Sequence, residues 1–305
     1  IYTSNGAFLA RVLYERRSLR SGKGQYQLLC LDQCTNHSYQ LHYNFLITEL
    51  MIRVENLHKS FGEEEILKGI TTTFEKGKTN LIIGQSGSGK TVFLKCLLGL
   101  FQAEEGKIYY NDIAIQEMDD DEKKDLREHM GMVFQGGALF DSMTVEENVM
   151  FPLRMFTKKK KEEMLERVNE VLQRVNLVNA NKKFPAEISG GMQKRVAIAR
   201  AIVNNPKYLF CDEPNSGLDP KTATIIDNLI QEITQEYDIT TVINTHDMNS
   251  VMEIGEKIIF LQKGNLAWEG DNTQIFKTDN KDVTGFVYSS DLFKKIRDIQ
   301  VQENQ

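Results

Sequence analysis

The chain has 305 residues, of which 26% are charged and 41% hydrophobic, and its formal net charge is -6. The acidic balance argues against nucleic acid as a main partner, which would leave a basic face. No stretch approaches the roughly 18–20 apolar residues of a membrane-spanning helix, the best apolar runs (81–84 and 258–261) being of strand length. Four cysteines, Cys30, Cys34, Cys96 and Cys211, lack the paired spacing of a zinc site and read as reduced thiols.

Residues 1–50 contain no methionine and show no sustained periodicity, and their arginines have no apolar core behind them as a signal peptide requires. Patterning starts at Met51, where Met51–Leu57 alternates apolar and polar residues as a half-buried strand does. The expectation is that Met51 is the natural start. Residues 1–50 would then be a non-native or disordered extension, the other reading being a regulatory or docking arm. Further strands are predicted at Lys78–Ile83, Gly106–Tyr110, Gly131–Phe134, Lys207–Cys211, Thr240–Ile243 and Lys257–Leu261.

Helices are predicted from Lys90 to Leu98, over Lys159–Val175, over Gly190–Asn204, and from Pro220 to Tyr237. The second carries a stripe of Met164, Leu165, Val168, Val171, Leu172 and Val175. The last has Pro at its start and Ile225, Ile226, Leu229, Ile230 and Ile233 on its inward side. Strands alternating with helices imply an α/β sheet with ligands at the carboxyl ends of its strands. Residues 136–204 read as an inserted helical subdomain, and there is no internal repeat.

Three segments carry chemistry on their own. Gly84, Gln85, Ser86, Gly87, Ser88, Gly89, Lys90 and Thr91 fit G-x₄-G-K-[ST] between a strand and a helix. The glycines let backbone N–H groups curl round phosphates, Lys90 reaches the β- and γ-phosphates, and Thr91 ligates Mg²⁺. The apolar strand Tyr208–Cys211 ends in two acids. Asp212 is placed to hold Mg²⁺ and Glu213 to polarise an attacking water. Ser189, Gly190 and Gly191 open a helix, a second anion-grade helix start that suggests a composite site shared by two subunits.

The run Ile188–Met192 resembles the ABC transporter signature LSGGQ, with Ile and Met at its ends, and residues 51–275 resemble an ABC nucleotide-binding domain. The resemblance implies a P-loop NTPase core sheet of RecA-like type, with ATP and Mg²⁺ as ligands. It assigns Gln135 as the Q-loop glutamine at Mg²⁺ and the attacking water, and Ser216–Asp219 as a loop crossing the dimer interface. It further assigns His246 as the histidine at the γ-phosphate and Phe61 as the aromatic on adenine. Met192 and Asn215, which stands where many relatives carry Thr, depart from the family pattern without removing a charge or a phosphate donor.

The implied machine is a homodimer on a transmembrane permease, at the cytoplasmic face of a bacterial inner membrane. Ribosome- or DNA-acting relatives carry two ATPase units or a long coiled coil, neither of which is present here. The run FQGGALFDSMTVEENVMFPL (134–153), with the ISGGM signature, resembles the ATPase of Mla-type phospholipid transport systems. Those systems work with MCE-domain proteins and small regulatory subunits. The alternative is the ATPase of a polar amino acid or other small-solute importer. The residues Leu139 and Phe140 beside two glycines suggest a docking groove for the permease. The tail Phe276–Gln305, with Phe286, Val287, Leu292, Phe293, Ile296 and Ile299, is expected to form a short helix packing on the domain or on a partner.

Overall fold

A computed structural model describes residues 51–288. The expectations for residues 1–50 and for Leu292, Phe293, Ile296 and Ile299 lie outside the described residues. Within them, two sheets meet. The larger is six-stranded in the order β10-β9-β3-β8-β7-β6, built from β3 (Thr79–Ile83), β6 (Met130–Val133), β7 (Tyr208–Asp212), β8 (Thr240–Asn244), β9 (Lys257–Gln262) and β10 (Asn265–Gly270). Four of its five pairings are parallel, and β10 closes one edge antiparallel to β9.

Strand alternation divides this sheet between two cores. Leu81, Ile83, Val133, Leu209, Cys211, Ile243, Ile258 and Phe260 face one apolar cluster, while Ile82, Tyr208, Phe210, Val242, Ile259 and Leu261 face the other. Burial on both faces is why these strands read as unbroken apolar runs. The first cluster is filled by helices: α3 (Val145–Phe156), α4 (Lys161–Arg174), α5 (Gly190–Ile202), α6 (Pro220–Glu236) and α7 (Met248–Ile254). The second is closed by α1 (Lys90–Leu97) and by an antiparallel sheet, order β2-β1-β4-β5, of β1 (Ile52–Phe61), β2 (Glu64–Phe74), β4 (Glu105–Tyr110) and β5 (Ile113–Ala114). No helix among the described residues is long and apolar enough to cross a membrane.

The fold class is as expected from the alternating strands and helices, but the antiparallel sheet goes beyond it. β1 shifts register three times against β2, so the period of two that marks a strand is repeatedly reset. β1 also shifts register against β4, and Gly106 on β4 sits at that shift with φ +86, where a Cβ would stand 2.2 Å from the Asn56 carbonyl oxygen. Helix α2 (Asp120–Glu128) was also beyond reach of periodicity, because only Leu126 on it is buried. Its start was nonetheless written as a capping box of Asp119 and Glu122.

Residues 136–204 are less continuously helical than expected: 136–144 are irregular, and only a short 3₁₀ turn, Pro185–Glu187, interrupts the stretch between α4 and α5. Along α6, Ile226, Leu229, Ile230 and Ile233 are buried, but Ile225 is 40% exposed. It stands one residue before the stripe, about 100° round the helix. The described part of the tail forms α8 (Lys281–Val287), whose Val283 and Val287 join the first cluster while Phe286 lies 5.3 Å from the Phe260 ring.

Gly131 on β6 lets α5 approach the sheet. A Cβ at this position would meet the Ala201 carbonyl oxygen at 2.4 Å and Leu209 Cδ1 at 3.2 Å. Backbone cannot yield as a flexible side chain does, so Gly131→Ala should lower unfolding free energy by about 1–3 kcal/mol, read from denaturant midpoints at unchanged m.

Candidate functional site

Parallel β3, β6, β7 and β8 deliver the critical segments to one edge, the carboxyl end of the sheet. β3 runs into the glycine-rich loop 84–89, and α1 begins at Lys90. Gly84 has φ +149, and a Cβ there would lie 2.2 Å from the Leu261 carbonyl oxygen and 2.8 Å from Ser88 Oγ, so only glycine lets the loop curl this tightly. Gly87 has φ +79 and open space around it, Ser86 and Gly87 are exposed, and Gly89 caps α1 in the left-handed conformation. Lys90 is buried, its Nζ donating to the carbonyls of Gly84 (2.9 Å) and Gln85 (3.1 Å). Burial pulls its pKa below the ordinary lysine value, against the opposing pull of Glu213 and Asp212.

The acidic pair sits on the same edge. Asp212 and Asn244 are register partners on β7 and β8, and Asn244 Nδ2 donates both to Asp212 Oδ1 and to Thr91 Oγ1 (3.3 Å). Burial raises the Asp212 pKa, Asn244 opposing it through its hydrogen bond. Glu213 holds a left-handed backbone, φ 46, which a non-glycine residue adopts only when its surroundings enforce it. Its N–H donates to the Asn244 carbonyl at 2.9 Å. One carboxylate oxygen accepts from Gln135 Nε2 at 2.7 Å, and the other lies 2.9 Å from His246 Nδ1. Three residues far apart in sequence thus meet at one carboxylate.

The oxygen donors Thr91 and Asp212 share Asn244 between them, and oxygen is the donor set that Mg²⁺ prefers, one or two protein ligands sufficing when phosphates supply more. Among the described residues, Ser88 Oγ is buried without a hydrogen-bond partner, as is Asn244 Oδ1. An orphan hydroxyl at the wall of a glycine cradle fits a phosphate ligand.

Other expected residues stand apart. Ser189 caps α5, its hydroxyl accepting from Met192 N–H at 3.3 Å, and among the described residues no hydrogen bond ties it to the glycine loop. A Cβ on Gly190 would lie 3.8 Å from Leu218 and one on Gly191 2.9 Å from Thr222, which places this helix start against the segment around Asp219. Asp219 itself caps α6, accepting from Thr222 N–H (3.1 Å) and Thr222 Oγ1 (2.5 Å). Phe61 is 48% exposed rather than core, edge-on to Phe101 at 5.3 Å with Lys59 Nζ 5.0 Å from its ring.

Sequence reasoning missed the residues that hold the loops. Asn244, which bridges Thr91 and Asp212, carries no motif signal of its own. Buried Lys194 on α5 donates to the Gln135 carbonyl, and Arg200, one further turn and a half along, donates to the carbonyls of Gly137 and Ala138 at 2.7 Å each. Both are cations on a helix otherwise rich in apolar residues, which was the available clue. Buried Asn148 closes the next loop through Phe140 N–H (2.8 Å) and the carbonyls of Phe140, Met143 and Thr144 (3.0–3.1 Å).

A glycine phosphate cradle at the switch point of a parallel sheet, with a carboxylate fixed beside it, defines a nucleoside triphosphate-binding domain. Comparison with known proteins narrows the class. The family model described as ABC transporter matches residues 67–216. The chain is 40% identical over 236 residues to the probable ribonucleotide transport ATP-binding protein mkl of Mycobacterium leprae, covering 77% of this chain and 68% of that one. It is 38% identical to the arginine transport ATP-binding protein ArtM of Bacillus subtilis, covering 74% of this chain and 93% of that one. Among solved structures, the dimeric post-hydrolysis state of the ATP-binding cassette MJ0796 with ADP and Pi superposes with a TM-score of 0.66. It is 35% identical, covering 72% of this chain and 98% of that one. The chain belongs to the ABC transporter family, as an ATP-binding subunit with ATPase activity.

Proposed function

We propose that two copies of this chain close head to tail on two molecules of Mg·ATP and drive a permease that moves phospholipid between envelope membranes. The observation that carries the hydrolytic half is the convergence of Gln135 and His246 on the Glu213 carboxylate, beside Lys90 and Asp212. In this reading Glu213 is the general base for the attacking water, oriented by its two partners. Lys90 and the loop of Gly84, Ser86, Gly87, Ser88 and Gly89 hold the β- and γ-phosphates, and Phe61 stacks on adenine. Thr91, Asp212 and Gln135 would hold Mg²⁺, which when bound neutralises charge developing on the phosphates. Ser189, Gly190 and Gly191 act on the γ-phosphate of the other copy, and Asp219 lies at the interface between the two. Their place at an exposed helix start, with no hydrogen bond to the chain's own glycine loop among the described residues, supports that trans role.

We assign residues 51–275 to the ATPase domain, 136–204 to its helical subdomain and 276–305 to a tail. The permease would dock at 135–152, where Phe134 and Phe140 are exposed, Phe140 lies 4.9 Å from Phe151, and Lys194, Arg200 and Asn148 hold the loop. The subunit would then work at the cytoplasmic face of a bacterial inner membrane. The lipid cargo rests on the run 134–153 with the ISGGM signature, together with partners of the MCE class and small regulatory subunits. The names of the two relatives point elsewhere, one to ribonucleotides and one to arginine. A polar amino acid or other small solute is therefore the second reading.

Copurification decides between them. Expressing the full chain with the genes neighbouring its own should bring down a permease, an MCE-domain protein and bound phospholipid. A permease that pairs instead with a soluble small-solute receptor overturns the lipid cargo and leaves the ATPase standing.

A further inference from the structure

We infer that Asp227 is a positioning residue for hydrolysis, a buried hydrogen-bond hub that ties the loop after Glu213 to the loop and helix after His246. The inference rests on the catalytic reading of Glu213 and His246 above. Asp227 lies on α6, outside the segments that carry the resemblance to the family, and is 2% exposed. Its Oδ2 accepts from Asn215 Nδ2 at 3.0 Å and from Ser250 Oγ at 2.7 Å. Asn215 stands two residues after Glu213, and its amide also donates to Ser250 Oγ at 2.9 Å and approaches Asp247 Oδ2 at 3.5 Å. Ser250 is on α7, whose N-cap is Asp247, the residue next to His246.

The triangle Asp227, Asn215 and Ser250 therefore ties the two loops behind the place where His246 lies 2.9 Å from Glu213, adding to the hydrogen bond from Glu213 N–H to the Asn244 carbonyl. A buried acid is costly to keep without paired partners, so a carboxylate in this position, with Oδ1 left without one among the described residues, calls for an explanation other than packing. Fixing the angle between base and histidine supplies it. Burial lifts the Asp227 pKa to about 6, the Ser250 and Asn215 hydrogen bonds opposing the lift while the charges of Asp247 and Glu253 add to it. Asn215 at this place gives the hub an amide donor that can serve two acceptors at once, where a Thr hydroxyl has one proton to give. The departure from the family pattern at 215 then has a physical use.

The test is steady-state ATP hydrolysis by the full chain, with kcat and KM read separately, for Asp227→Ala, Asp227→Asn and Ser250→Ala. Losing a buried hydrogen-bond partner should lower kcat about ten-fold in Asp227→Ala and a few-fold in Ser250→Ala, with KM within about two-fold. Asp227→Asn, whose amide oxygen still accepts from both neighbours, should recover most of kcat. An unchanged kcat in Asp227→Ala overturns the proposal, and so does a rise in KM that matches the fall in kcat. Amide hydrogen exchange across residues 244–250 gives a second readout that does not need turnover. It should quicken about ten-fold in both Asp227→Ala and Ser250→Ala, at unchanged exchange in α4. Absence of ATPase activity in the wild-type chain overturns the reading of Glu213, and exchange in 244–250 then decides the hub by itself. Exchange that rises everywhere alike marks Asp227 as general scaffold and overturns the hub as well.

Discussion

Replacing Glu213 with Gln should cut ATP turnover by about 10²–10⁴-fold while leaving Mg·ATP binding within about two-fold, the expected loss for a general base. The substitution keeps the shape and an oxygen for Gln135 Nε2, now 2.7 Å away, but removes the capacity to take a proton from water. It also removes the larger of the two charges that support the protonated amine of buried Lys90, leaving Asp212. The measurement is single-turnover hydrolysis alongside equilibrium nucleotide binding. Turnover within ten-fold of wild type would mean that the water is polarised elsewhere and that the left-handed backbone at 213 has another purpose.

Lys90→Ala has the second largest expected effect, and on binding. Hydrogen bonds to charged groups contribute about 1.5–3 kcal/mol, so ATP affinity should fall roughly 10- to 150-fold. The apo protein should suffer much less. Burial holds the Lys90 pKa below its ordinary value, so the folded chain gives up this proton at lower pH than the unfolded chain does. Its contribution to stability therefore rises with pH through the window between the depressed value and 10.5, and at neutral pH the buried ammonium is carried at a cost. Removing it relieves that cost but leaves the carbonyls of Gly84 and Gln85 without this donor. Melting temperatures with and without ATP check both halves: the apo value should move by a few degrees at most, and the ATP-induced rise at a fixed ATP concentration should shrink. An apo chain that unfolds would make Lys90 a structural residue first.

The sequence by itself determined whatever depends on neighbours along the chain. The glycine loop was legible because backbone that curls round phosphates needs glycine at particular spacings, and Gly84 shows why in its 2.2 Å approach to the Leu261 carbonyl. The parallel strands were legible because both of their faces are buried, which writes an apolar run, and the helix starts at Ser189 and Pro220 because caps are local chemistry. Helix α3, by contrast, announced its start through Thr144 and Glu147 and then carried Pro152 inside.

Tertiary structure alone decided the rest. Of the antiparallel sheet, the start of β1 and most of β4 were legible as strands, whereas β2, β5 and the pairing of all four, with its register shifts along β1, were decided by the fold. Asn244 became part of the site only through register, since pairing β7 with β8 sets it beside Asp212 and within 3.3 Å of Thr91 Oγ1. Lys194 and Arg200 hold carbonyls roughly sixty residues away, and Asp227 reaches Asn215 and Ser250 across three elements. Such contacts leave no period or spacing in the sequence. A buried polar group is paid for by partners that only the folded chain brings within hydrogen-bond distance, so its role appears when the fold does.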